Sequence, residues 1–283
     1  MIGVFDSGVG GLSVWREMVK LMPEESIVYL ADQAHVPYGP RELAEVRDMT
    51  TDCVGWLLHR GCDMIVIACN TASAAALSHV RELFPRVPFV GMEPAVKPAA
   101  SHTHTGVIGV LATQATFHSQ VFASVVMRFA SNAQVIEQPC PGWVELVESG
   151  AQELALCHPL VDHYVWPLLD RGADRLVLGC THFPFLASAI LCSIASWKAP
   201  HPVTYDIELV DPSQAVARQV LRVRDQHVSG APAVAASHYQ FWTTGDAGAF
   251  STVARRLLPD RPHFPAVSVP FSDIKAVMAA SSR

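Results

Sequence analysis

The sequence predicts an α/β fold: two similar α/β domains with mainly parallel sheets, related by a pseudo-two-fold axis, with the active site in the cleft between them. Three observations lead there. Short apolar runs of strand length alternate with helix-length segments, the rhythm of βαβ units in parallel sheets. One stretch of the chain repeats another. Two Pro/Ser/Ala-rich stretches, "VKPAASHTHT" (Val96–Thr105) and "WKAPHPVT" (Trp197–Thr204), break the rhythm like hinges.

The first strand is expected at Ile2–Phe5. A "GVGG" turn (Gly8–Gly11) follows, then a helix that ends near Lys20. Strands are expected next at Ile27–Ala31, Met64–Ala68 and Pro88–Gly91, separated by helical patterns at Pro40–Arg60 and Thr71–Phe84. After the first break come strands Val107–Leu111, Gln134–Glu137 and Arg175–Gly179, with helices at Thr116–Ala130, Ala151–Arg171 and Phe183–Trp197. Weaker strand patterns lie at Glu208–Val210 and Tyr239–Thr243, and "SGAPAVAAS" (Ser229–Ser237) reads as a surface loop. The expected parsing is residues 1–95 plus 206–283 for the first domain and 96–205 for the second.

The repeat joins these halves. "RGCDMIVIACNT" (Arg60–Thr71) matches "RGADRLVLGCTH" (Arg171–His182), with Arg, Gly, Asp, the central Val and the Cys identical. A weaker match precedes it in the same order: "IGVFDS" (Ile2–Ser7) and "IGVLAT" (Ile108–Thr113). Ligands of open α/β sheets bind at the carboxyl ends of the strands. Two such domains facing each other would therefore set Cys69 and Cys180 on opposite walls of one pocket.

Composition narrows the chemistry. Half of the 283 residues are hydrophobic, 16% are charged and the net charge is −6. This describes a compact globular protein without the basic surface that nucleic acid needs as a main partner. No basic stretch leads into an apolar one at the start, and no run of eighteen apolar residues occurs, so neither a secretory leader nor a membrane helix is expected, and the cytoplasm is the expected location. Seven cysteines at irregular spacing, without a CxxC pair, argue against a disulfide framework and a structural zinc site. Ser13 stands where the third glycine of a dinucleotide fingerprint belongs, no P-loop is present, and none of the four lysines lies in a motif. No cofactor and no metal is expected. "GVGG" instead reads as a turn whose amides approach a small anion.

Cys69 and Cys180 each precede a helical pattern, whose dipole is expected to lower the thiol pKa. Asn70-Thr71 and Thr181-His182 add groups suited to holding a carboxylate. Two facing thiols could form a redox disulfide, bind a soft metal, or act as opposed acid and base in a stereoinversion. The last needs groups that tune and relay protons, for which Asp6, Glu148 and His182 are the candidates.

Seven motifs carry a family resemblance: "FDSGVGGLSV" (Phe5–Val14), "LADQAHVPYG" (Leu30–Gly39), "ACNTASA" (Ala68–Ala74), "VLATQAT" (Val110–Thr116), "VELVESG" (Val144–Gly150), "LGCTHFP" (Leu178–Pro184) and "TTGD" (Thr243–Asp246). In this order, over almost the whole chain, they resemble the glutamate racemases. The resemblance implies cofactor-independent interconversion of L- and D-glutamate, to supply D-glutamate for peptidoglycan. It implies Cys69 and Cys180 as the catalytic acid/bases, with Cys69 acting on D-glutamate and Cys180 on L-glutamate. Asp6, His182 and Glu148 would assist them, with Glu145 as the fallback for Glu148. Asp6, Ser7, Tyr38, Gly39, Asn70, Thr71, Thr181 and His182 are the implied substrate contacts, and Thr113 and Thr116 help to hold a carboxylate. A homodimer is the expected assembly. Gln33 and His35 depart from the family, which more often has a small polar residue and an Arg there, so an altered entrance is expected. The N-terminal extension of members activated by a cell-wall precursor is missing, so that regulation is not expected. The alternatives are an aspartate or other amino-acid racemase of the same superfamily, or a binding protein that retains the pocket. Aspartate racemases often carry an acidic residue where His182 stands, which favours glutamate.

Overall fold

The computed structural model describes residues 1–151, 159–199, 204–227, 238–261 and 263–281. The first half runs β1 (Ile2–Asp6), α1 (Leu12–Leu21), β2 (Ile27–Ala31), α2 (Leu43–His59), β3 (Met64–Ile67), α3 (Asn70–Leu83), β4 (Phe89–Gly91) and α4 (Val96–His102). The second runs β5 (Val107–Ala112), α5 (Gln114–Phe117), α6 (Gln120–Phe129), β6 (Gln134–Pro139), α7 (Trp143–Glu148), α8 (Pro159–Asp170), β7 (Arg175–Leu178), a 3₁₀ turn at Phe183–Leu186, α9 (Ala187–Ser196) and β8 (Glu208–Val210). Helix α10 (Ser213–His227), β9 (Tyr239–Thr243), α11 (Ala247–Leu257), β10 (Ala266–Ser268) and α12 (Phe271–Ser281) complete the chain.

Two parallel sheets result, in the orders β10-β9-β2-β1-β3-β4 and β6-β5-β7-β8. The central strands β1, β3 and β7 are buried along their length, as apolar runs covered on both faces must be. β6 lies at an edge and mixes exposed Gln134 and Glu137 with buried Ile136. One apolar core runs through both halves, joining Val9 and Leu12 to Leu111, Val144 and Phe183.

The repeat reappears in the pairing. Ile2 of β1 stands opposite Met64, and Ile108 of β5 stands opposite Arg175, the same position in each unit. Its Arg-Gly step ends a helix in both halves. Gly61 and Gly172 take φ of 87° and 84°, a left-handed conformation that a Cβ would strain. Each donates to a carbonyl three residues back, Leu58 and Leu169. The aspartate that follows ties down the segment before its IGV strand. Asp63 binds the N-terminal ammonium at 2.9 Å, and Asp174 accepts from Thr103 Oγ1, His104 N and Thr105 N.

Several expectations are corrected. Val96–His102, read as part of a hinge, forms a helix; Pro98 falls in its first turn, where a missing N–H costs nothing. The helix expected over Thr116–Ala130 is two, because Ser119 caps a new helix by accepting Phe122 N at 3.1 Å. Of the helix expected over Ala151–Arg171, Pro159–Asp170 is helical, and 152–158 lie outside the described residues, as do 229–237 and 200–203. β8 pairs with β7, so the chain leaves the second sheet after Val210 and not after residue 205. β10 went unanticipated.

Candidate active site

The ends of β1, β3 and β7 converge with the "GVGG" turn and the end of α7. Cys69 follows β3 and caps α3. Its Sγ accepts Ala72 N at 3.4 Å and donates to Ser7 Oγ at 3.7 Å. The helix was expected to lower this thiol's pKa. Burial outweighs it: together with the nearby negative charge of Asp6, burial pushes the Cys69 thiol up to about 12, against the opposing pull of the Ala72 amide. Cys180, at the end of β7, lies close enough to add to that rise.

Cys180 is equipped differently. Its Sγ lies 3.7 Å from His182 Nδ1, and His182 Nε2 lies 2.7 Å from Glu148 Oε1. Glu148 Oε1 also accepts Val9 N at 2.7 Å, and Oε2 accepts Gln33 Nε2 at 2.9 Å. Burial alone would depress the imidazole pKa, but its bonds to Cys180 and Glu148 dominate and hold it well above the usual histidine range. Glu148, not Glu145, makes this contact. Glu145 instead lines a groove of about 220 Å³ with Gly39, Thr113 and Cys140.

Asp6 sits between the walls. Its Oδ1 accepts Gly8 N at 2.8 Å and its Oδ2 accepts Thr181 Oγ1 at 3.0 Å. Burial raises its pKa, with Glu148 adding to the rise, while His182 and these two hydrogen bonds oppose it. Ser13 Oγ donates to the Thr181 carbonyl at 3.0 Å and fixes that backbone. The amides of the "GVGG" turn do meet anions, but these are the protein's own carboxylates, Asp6 and Glu148. A Cβ on Gly8 would collide with the Glu148 carboxylate, and one on Gly10 with His182 and Thr181, so glycine here serves close approach.

Hydroxyls line the rest. Thr71 Oγ1 and Thr113 Oγ1 are 3.0 Å apart, and Thr113 Oγ1 and Thr116 Oγ1 likewise, a chain that crosses from α3 to α5. Asn70 is buried, and both polar atoms of its side chain lack a hydrogen-bond partner. Such orphans cost about 1–3 kcal/mol each, which a polar ligand would recover. Tyr38 does not join through its hydroxyl, which donates to Asp32 Oδ2 at 2.6 Å; a Cβ on Gly39 would crowd the Thr113 side chain. His35 also turns to Asp32, at 2.8 Å, and packs edge-on against Phe271.

The sequence reading assigned no role to Val9, Ser13, Asp32 or Thr243; Gln33, expected to alter the entrance, binds Glu148. Thr243 and Thr244 lie in a quoted motif, the one signal that pointed to them. They hold Gln33 Oε1 at 2.9 Å and Asp32 Oδ1 at 2.7 Å. Among the described residues no cluster of three His, Cys, Asp or Glu side chains is placed to hold a metal, and no helix is long and apolar enough to cross a membrane.

A sequence profile of Asp/Glu/hydantoin racemases matches residues 2–220. The chain belongs to this family. A glutamate racemase of Ectopseudomonas mendocina (strain ymp) is 46% identical over 263 residues, which cover 92% of this chain and 95% of that one. Among solved structures, a glutamate racemase isoform from Bacillus anthracis superposes with a TM-score of 0.81 at 30% identity, covering 95% of this chain and 97% of the other. The Escherichia coli glutamate racemase in complex with L-glutamate and the activator UDP-MurNAc-ala matches with a TM-score of 0.78 at 31% identity, over 94% and 96%. The family's two α/β units and their parallel sheets are those described above.

Proposed function

We propose that this protein is a glutamate racemase that inverts the α-carbon with two cysteine bases and no cofactor. The observation that carries the reading is the pair of buried thiols at equivalent strand ends, Cys69 and Cys180, with Asp6 between them. One sulfur, as thiolate, takes the α-proton, and the electron pair left on carbon delocalises into the substrate carboxylate. The opposing S–H delivers its proton to the other face. Each turnover exchanges which sulfur is protonated, so both enantiomers are processed by one site.

The walls differ in how they manage the proton. Cys180 has an imidazole 3.7 Å away, able to give or accept a proton, with Glu148 behind it. Cys69 has an amide, a hydroxyl and a neighbouring carboxylate. Its high resting pKa calls for a positive charge on ionisation, which the substrate ammonium supplies beside Asp6. The unpartnered Asn70, the hydroxyls of Ser7, Thr71, Thr113, Thr116 and Thr181, and the Tyr38-Gly39 backbone are the substrate-holding groups in this reading. The expected setting is a cytoplasmic homodimer that supplies D-glutamate to peptidoglycan synthesis, with light scattering as the check on the assembly.

Circular dichroism of L- and D-glutamate tests the reading. Cys69→Ala and Cys180→Ala should each abolish racemisation and leave the far-UV spectrum intact. Full activity in either variant overturns the two-base assignment, and faster turnover of aspartate overturns the substrate.

A further inference from the structure

The Glu148–His182–Cys180 line has an anchor at its far end. Thr243 Oγ1 accepts Gly245 N at 3.0 Å and donates to Gln33 Oε1, 2.9 Å away. The acceptor-only carboxylate of Glu148 tells the two ends of the Gln33 amide apart. Its oxygen faces Thr243, so its NH₂ faces Glu148 Oε2, at 2.9 Å. A flipped amide would set oxygen against a carboxylate oxygen. The carboxylate then accepts three N–H groups: Val9 and His182 on Oε1, and Gln33 on Oε2. Contacts on both oxygens fix the orientation of the carboxylate. It leaves His182 Nε2 as donor and turns Nδ1 to Cys180.

We propose that Gln33 is a positioning residue for proton transfer at Cys180: clamped by Thr243, its amide holds the Glu148 carboxylate aimed at His182. The proposal rests on the racemase reading and adds to it a residue outside the cleft's substrate-holding groups. It ties the C-terminal strand β9 to the chemistry of the second half. The relay is asymmetric, because among the described residues Cys69 has no imidazole between itself and a carboxylate. The titratable groups that face Glu148 are His182 from the turn after β7, Asp6 from β1 and Tyr29 from β2; those that face His182 are Cys180, Glu148 and Asp6.

The test compares Gln33→Leu, which keeps the volume and deletes the donor, Gln33→Glu, which opposes a second carboxylate to Glu148, and Thr243→Val, which frees the amide to flip. The first readout is kcat/KM for glutamate against pH. Without its donor the Glu148 carboxylate loses its fixed aim at His182, so the acid limb should shift in Gln33→Leu and shift further in Gln33→Glu. Thr243→Val should move it the same way by less. kcat/KM should fall about tenfold in both directions alike, because the equilibrium constant between enantiomers is one. The second readout needs no substrate: the ¹⁵N titration of the His182 imidazole, which depends on its contact with Glu148, should shift in the same order. A limb and a titration step that stay in place in Gln33→Leu and Gln33→Glu overturn the proposal. A wild-type protein that does not racemise glutamate overturns the racemase reading instead, while the imidazole titration still decides the role of Gln33.

Discussion

Gly10→Ala offers the sharpest trial of the site geometry. An added Cβ would stand 2.6 Å from His182 Cε1 and 2.7 Å from Thr181 Oγ1, and ordinary van der Waals contact begins at 3.4 Å. The imidazole must therefore retreat by about 1 Å, away from Cys180 or off Glu148, and a displacement of about 1 Å in a catalytic array costs on the order of 10²-fold in rate. The crowding costs stability too, by about 1–3 kcal/mol. Gly172→Ala separates the two effects. Gly172 has φ of 84° and open space around its Cα, so alanine there should cost about 1–2 kcal/mol by backbone strain and leave the rate alone. The assay is glutamate racemisation followed by circular dichroism at saturating substrate, beside urea denaturation of both variants. A Gly10→Ala protein with kcat within threefold of wild type would refute the placement of His182 against the turn.

Three further outcomes are expected. Asn70→Leu removes two buried unpartnered atoms, so the free protein should hold or gain stability by about 1 kcal/mol while KM for glutamate rises at least tenfold; isothermal calorimetry and thermal melts check both. Cys69 is held near 12 by burial and by Asp6, so its alkylation by iodoacetamide, read by mass spectrometry, should still be rising well above pH 9 instead of levelling off. Asp174 is buried, which would raise its pKa, but Thr103, the His104 and Thr105 amides and Arg175 hold the carboxyl below its usual range. Its stabilisation is therefore present above the ordinary carboxylate pKa and lost as pH falls through the depressed one; Asp174→Asn should cost about 1–3 kcal/mol at neutral pH, lose that acid dependence and leave kcat unchanged.

Much of the scaffold was legible because burial on both faces forces an unmistakable pattern. β1, β3 and β7 are short apolar runs, and the repeated Arg-Gly and Asp encode a helix stop and a tether in both halves. β10 was not legible: three residues, Ala266–Ser268, one intermediate and two exposed, carry no period. α4 was masked by Pro98, which reads as a breaker unless its place in the first turn is known. In the site, Cys69 and Cys180 stood out through the repeat, and Asp6, His182 and Glu148 through their motifs. The thiol pKa was misjudged because the helix terminus is visible in sequence while the desolvating surroundings of Cys69 are not. The contact between Gln33 and Thr243 was not legible, because it spans 210 residues, beyond any local spacing rule.

The central claim is that two thiols share one inversion, and isotope incorporation in D₂O tests it most directly. Each enantiomer of protiated glutamate is converted to low extent, and substrate and product are separated and weighed for α-deuterium. Two opposed sulfurs require deuterium in nearly all of the product and almost none in recovered substrate, from either enantiomer, because the accepting face never sees the abstracted proton. Deuterium in the recovered substrate, or product that retains the original proton, would mean that a single base serves both faces and would contradict the account.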